Sequence, residues 1–69
     1  MIKQTYTVEE LQAMPTLCQG QTDDLKVDDG NNRVWLSRMT LADGEIYQIH
    51  HEECIGSQWV IVSEYAPFD

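Results

Sequence analysis

The run Arg33-Val34-Trp35-Leu36-Ser37-Arg38-Met39-Thr40, the turn Ala42-Asp43-Gly44-Glu45 and the run Ile46 to Ile55 together decide the fold. Val34 and Leu36 alternate with Trp35 and Met39, which is the period of a strand with two different faces. Gly56-Ser57 reads as a two-residue hairpin turn of type II′, and Gln58 to Ala66 as a final strand stopped by Pro67. Before the opening run, Leu25-Lys26-Val27-Asp28 alternates as a half-buried strand, and Asp29-Gly30-Asn31-Asn32 is turn chemistry. Thr16 to Thr22, with Gly20, reads as a connector, and Met1 to Tyr6 as a loose start or short strand.

Thr7-Val8-Glu9-Glu10-Leu11 has the spacing of a capping box, with Thr7 accepting from the N3 amide and Glu10 reaching back to the Thr7 amide. Pro15 pushes Met14 out of helical conformation, so the helix is short, with Val8, Leu11 and Met14 facing inward. The expected fold is α+β: one short N-terminal helix and a four-stranded antiparallel β-meander, in a single domain covering residues 1–69.

A chain of 69 residues buries only about 60% of the surface its unfolded form exposes, so nearly every apolar side chain is needed. Twelve acidic residues face four basic ones, for a net charge of −8. Such charge disfavours direct contact with nucleic acid or an anionic membrane, and no apolar run reaches the ~20 residues of a membrane-spanning helix. Cys18 and Cys54 are too few for a disulfide framework, and no cleavable signal peptide opens the sequence. They are expected as reduced, mostly buried thiols in a cytoplasmic protein.

His50-His51-Glu52-Glu53-Cys54 is the cluster closest to a metal or catalytic site. On a strand, His50, Glu52 and Cys54 share one face in a row some 13 Å long at ~3.3 Å per residue, too long for one zinc ion. The stretch otherwise reads as polar, edge-like strand, and no metal or cofactor is expected. Gly30 as the sixth position of a Ca²⁺ loop would put Leu25 and Val27 at ligand positions, so that motif fails. No Gly-rich elbow or phosphate loop accompanies either cysteine, and an enzyme is not expected.

The acidic residues pair side by side as Glu9-Glu10, Asp23-Asp24, Asp28-Asp29 and Glu52-Glu53. Glu9-Glu10 is explained by the helix cap. Asp23, Asp24, Asp28, Asp29, Glu52 and Glu53 are the candidate residues for a protein partner with a basic surface, because edge protection alone would be served as well by mixed signs. Trp59-Val60-Ile61-Val62 and Val34-Trp35-Leu36 are apolar on both faces. Either the sheet curls around its own core, or its second face is a homodimer interface involving Trp35, Trp59 and Ile61.

From Leu17 to Glu45, Gln21-Thr22-Asp23-Asp24-Leu25-Lys26-Val27 leading into Arg33-Val34-Trp35-Leu36-Ser37-Arg38 resembles small proteins of phages and mobile elements. The resemblance implies a host-takeover or anti-defence factor of the anti-CRISPR type, acting in the host-cell cytoplasm, and assigns no site residue. The expectation is a phage-type inhibitor that docks on a basic surface of a nucleic-acid-handling or defence protein. The alternatives are a small-ligand module, binding a nucleotide signal in a cleft lined by Trp and by Arg33 or Arg38, and a structural phage accessory.

Overall fold

The computed structural model describes residues 2–66, and its main feature is a single antiparallel sheet that holds 58% of the described residues in strands. Helix α1 (Val8–Ala13) precedes five strands, β1 (Cys18–Gln19), β2 (Asp23–Asp28), β3 (Asn32–Leu41), β4 (Gly44–Ile55) and β5 (Gln58–Tyr65). Each strand pairs with the next in sequence, in the order β1-β2-β3-β4-β5. The α+β, four-stranded expectation is therefore corrected to a five-stranded meander with a helix of six residues packed on it. The added strand lies in the expected connector. Cys18 pairs with Leu25 and Gln19 with Asp24, closed by Leu17 N–H to the Leu25 carbonyl (2.8 Å) and Gly20 N–H to the Asp23 carbonyl (2.7 Å). Two exposed residues carry no alternation to read, so only the partner strand reveals them. Pro67, the expected stop of the last strand, lies outside the described residues.

The helix forms where the capping box predicts. Thr7 Oγ1 accepts from Glu10 N–H (3.1 Å), and Glu10 Oε1 accepts from Thr7 N–H (3.0 Å). Met14, ahead of Pro15, leaves the helix at φ −87°, ψ 149° and its N–H donates to the Leu11 carbonyl. Leu11 is fully buried, and Val8 and Met14 pack beside it on the core.

Two irregularities set the faces. The β2–β3 register runs Leu25↔Trp35 and then Val27↔Val34, leaving Lys26 as an extra residue on β2. The β4–β5 register runs His51↔Ser63 and then Glu52↔Ile61, leaving Val62 extra on β5. Directly opposed residues point to the same side of a sheet. The front face therefore holds Asp24, Val27, Val34, Leu36, Arg38, Tyr47, Ile49, His51 and Tyr65. Helix α1 and Tyr6 cover it, forming the core Tyr6, Leu11, Val34, Leu36 and Ile49. Burying Leu11, Val34 and Ile49 contributes about 1.5–3 kcal/mol each. The back face holds Asp23, Leu25, Asp28, Arg33, Trp35, Ser37, His50, Glu52, Trp59, Ile61 and Glu64.

The turns show why the strands connect as they do. Gly56 (φ 57°) and Ser57 (φ 70°) both have positive φ, so the β4–β5 turn is of the I′ kind rather than the expected II′. Asp29 Oδ1 accepts from Asn31 N–H (2.9 Å) and Asn32 N–H (2.7 Å), and Asp28 Oδ1 accepts from Gly30 N–H (2.9 Å). These bonds hold the Asp29 carboxyl below the usual range, with the amide of Asn31 the largest cause.

Candidate functional site

The back face gathers most of the chemistry that the front face excludes. At its centre the Trp35 indole N–H donates to Glu52 Oε1 (2.5 Å). Ser37 Oγ donates to Asp23 Oδ1 (2.5 Å), and Thr22 Oγ1 lies 3.3 Å from the same oxygen. His50 Nδ1 lies 2.7 Å from Glu64 Oε2, an ion-pair distance whose angles do not make a hydrogen bond, so Nδ1 is left without a true partner. Asp23, Trp35, His50, Glu52 and Ile61 together line a shallow depression of about 210 Å³. Leu25, opposite Trp35, is buried on this side.

Beside that centre, the Arg33 guanidinium stacks 3.9 Å from the centroid of the Trp59 ring and its Nε lies 3.3 Å from Asp28 Oδ2. Cross-strand register produces this group, because β3 brings Arg33 between Asp28 on β2 and Glu52 on β4. Arg33 is thus held in place by protein groups.

The six acidic candidates do not form one rim. Asp23, Asp28 and Glu52 meet on the back face, while Asp24 and Glu53 point to the front and Asp29 closes the β2–β3 turn. Asp24 sits opposite Leu36 with Oδ1 buried and unpartnered, and Glu53 is exposed opposite Asn32. Glu64, which the doublet pattern does not single out, joins the back-face set through the β5 register. Of the three aromatic and apolar candidates, Trp35 and Trp59 are half-buried with their polar or π surfaces already engaged, and Ile61 is 54% exposed.

His50-His51-Glu52-Glu53-Cys54 lies on β4, between β3 and β5, so it is inner strand and not an edge. Among the described residues no group of three or more His, Cys, Asp or Glu is placed to hold a metal ion. Both cysteines are free, but Cys18 is exposed on the edge strand β1 and Cys54 is half-buried, which corrects the expectation of buried thiols. No helix among the described residues is long and apolar enough to cross a membrane.

His51 has the one arrangement with no local signal in the sequence. It is 8% exposed on the front face, its ring flanked by Tyr6 (5.8 Å) and Tyr65 (5.5 Å). Tyr6 N–H donates to the Tyr65 hydroxyl (2.7 Å), leaving that hydroxyl to donate to Nε2 of neutral His51 (3.0 Å). Burial lowers the His51 pKa and raises that of Tyr65. The network ties the N-terminal segment to the last strand.

A second concavity, about 770 Å³ and open to solvent, lies toward the β3–β4 hairpin. Arg38, Tyr47, Thr22, Ser37, Thr40 and Gln48 contribute polar groups to it. Arg38 Nε is buried without a hydrogen-bond partner. Comparison with protein families, curated proteins and solved structures finds no match to this chain.

Proposed function

We propose that this chain is a non-enzymatic binding module whose back face receives a basic surface of a protein partner. The observation that carries the reading is the register that collects Asp23, Asp28, Glu52 and Glu64 on one face, where Arg33 is the one Lys or Arg. In a chain of net charge −8, that clustering costs repulsion, which a cationic partner would relieve. Asp23 and Glu52 each use one oxygen internally, so a second oxygen of each remains for a guanidinium or ammonium group. The resemblance of Leu17 to Glu45 to phage and mobile-element proteins suggests what the partner does. A nucleic-acid-handling or defence protein presents a basic channel, and carboxylates in fixed positions can stand in for phosphates there. On this reading the protein inhibits in the manner of an anti-CRISPR factor, in the cytoplasm of the host cell.

The test is affinity capture from host lysate at low and high salt, with a variant carrying Asp23→Asn, Asp28→Asn, Glu52→Gln and Glu64→Gln in parallel. The expected partner is basic, is released by salt and is not retained by the variant. Capture that ignores both ionic strength and the four substitutions refutes the reading.

Arg38, which lines the larger concavity and whose buried Nε has no hydrogen-bond partner, favours a second reading, a module for a small anionic ligand such as a nucleotide. A ligand at 100 times its Kd raises stability by ~2.7 kcal/mol, so a nucleotide panel in a thermal-shift assay reports it. An Arg38→Gln variant that responds as well as the native chain rules this out.

A further inference from the structure

We propose that a second copy of this chain pairs along the open edge of β5, antiparallel, about a two-fold axis passing beside Val60. β5 is the last strand of the sheet and has no strand paired on its outer side among the described residues. The opposite edge, β1, is two residues long, and shortness is itself a protection against mispairing. β5 is eight residues long, with Val60, Ile61 and Val62 at 41%, 54% and 52% exposure. From Ile55 to Ser63 it and its turn carry no charge, in a chain of net charge −8. Two such chains repel almost everywhere, and this edge is where they can approach without bringing carboxylates together.

The geometry selects the register. A two-fold axis perpendicular to the sheet keeps the two back faces on one side, so each residue must oppose one of its own parity. Centring the axis at Val60 sets Val60 against Val60 of the second copy on the front. On the back it sets Trp59 against Ile61 of the second copy, twice. Aromatic against β-branched is a favourable cross-strand pair. The extra residue Val62 bends the strand, and this centre leaves it outside the three-residue heart of the ladder. Past the extra residue Val62 the ladder shifts by one, so Glu64 falls beside Ser57 of the second copy, on the same face and away from the other Glu64. Because β1 is too short to continue the ladder, the assembly closes at two chains and forms no fibre.

Salt separates this interface from the proposed partner site. Screening weakens capture of a basic partner and strengthens self-association of two acidic chains. Sedimentation equilibrium across concentration and salt is the primary test, with a species of twice 8.0 kDa expected and favoured by added salt. Ile61→Lys should weaken it at least about thirty-fold, some 2 kcal/mol at tenfold per 1.4 kcal/mol. Leu17→Lys, at an exposed site away from β5, should leave it unchanged. Val60→Cys in a Cys18→Ser, Cys54→Ser background should cross-link to itself under mild oxidation, a readout that stands whether or not Ile61→Lys folds. A chain that stays monomeric at all concentrations overturns the proposal. So does a dimer that Val60→Cys fails to trap.

Discussion

Replacing Tyr65 by Phe deletes one oxygen atom and strands two polar groups. The ring stays, so packing against His51 at 5.5 Å is kept. The amide of Tyr6 loses its acceptor at 2.7 Å and His51 Nε2 loses its donor at 3.0 Å. A buried polar group left unpaired costs about 1–3 kcal/mol. Tyr65 is half-buried, so water reaches part of this region and the lower half of that range applies to each group, about 2–4 kcal/mol for the pair. A domain of this length is stable by roughly 3–10 kcal/mol at 0.05–0.15 kcal/mol per residue, so the loss is a large fraction. Urea titration of the native and Tyr65→Phe chains measures it directly, with the slope unchanged and the midpoint lowered. In a thermal scan the midpoint falls by roughly 8–32 °C, using 4–8 °C per kcal/mol for a small domain. A difference below about 0.5 kcal/mol, within the range of an ordinary surface substitution, refutes the account of this network as the clasp of the fold.

His51 gives the pH dependence of the same clasp. Its folded pKa lies below the ordinary 6.5, so the unfolded chain binds the proton more readily. Stability is full above pH 6.5 and falls as pH drops from there toward the folded pKa, at up to ~1.4 kcal/mol per pH unit for one proton. Denaturation midpoints between pH 7.5 and 5 check this, and a His51→Gln variant should show a flatter profile. Glu10, lowered chiefly by its hydrogen bond from Lys3, and Asp29 act later, since stability tied to a depressed carboxylate is lost only as pH falls below 4.5 and 3.8 respectively. Thr7→Ala removes the acceptor of the capping box and should cost about 1 kcal/mol by urea titration, where an unchanged midpoint would show that the cap is dispensable. Gly44, at φ 134°, occupies backbone space closed to side chains, so Gly44→Ala should cost about 1–3 kcal/mol through strain alone, because a Cβ there meets nothing within 4 Å. A neutral Gly44→Ala would disprove that backbone conformation.

Features encoded within a few residues were legible in the sequence. Thr7 and Glu10 make their reciprocal bonds across three positions, and Asp29 closes a turn with its own neighbours. The alternation of Val34 and Leu36 against Trp35 and Met39 predicted the faces of β3. What was not legible depends on register. Strand β1 exists because Leu25 and Asp23 present carbonyls to Leu17 and Gly20, and nothing in Cys18-Gln19 signals that. The acidic doublets divided because adjacent residues of a strand face opposite ways, which sent Asp23 and Glu52 to the back with Ser37 and Trp35. Glu52 and Trp35 are seventeen residues apart, and His51 is separated from Tyr65 by fourteen. Such pairings appear only when the strands are aligned, and the extra residues Lys26 and Val62 shift that alignment partway along.

The bond from Tyr6 to Tyr65 spans 59 positions in a molecule whose strands otherwise pair with their nearest neighbours in sequence. Loop closure of that length brings its reward only after the hairpins between exist. The meander can therefore zip in order from its turns, with the clasp made after the rate-limiting barrier. Its removal should leave the refolding rate nearly unchanged and appear almost wholly as faster unfolding. The lifetime of the folded molecule is then governed by its last-formed contact, and the ends of the described chain act as a latch on how long the sheet survives.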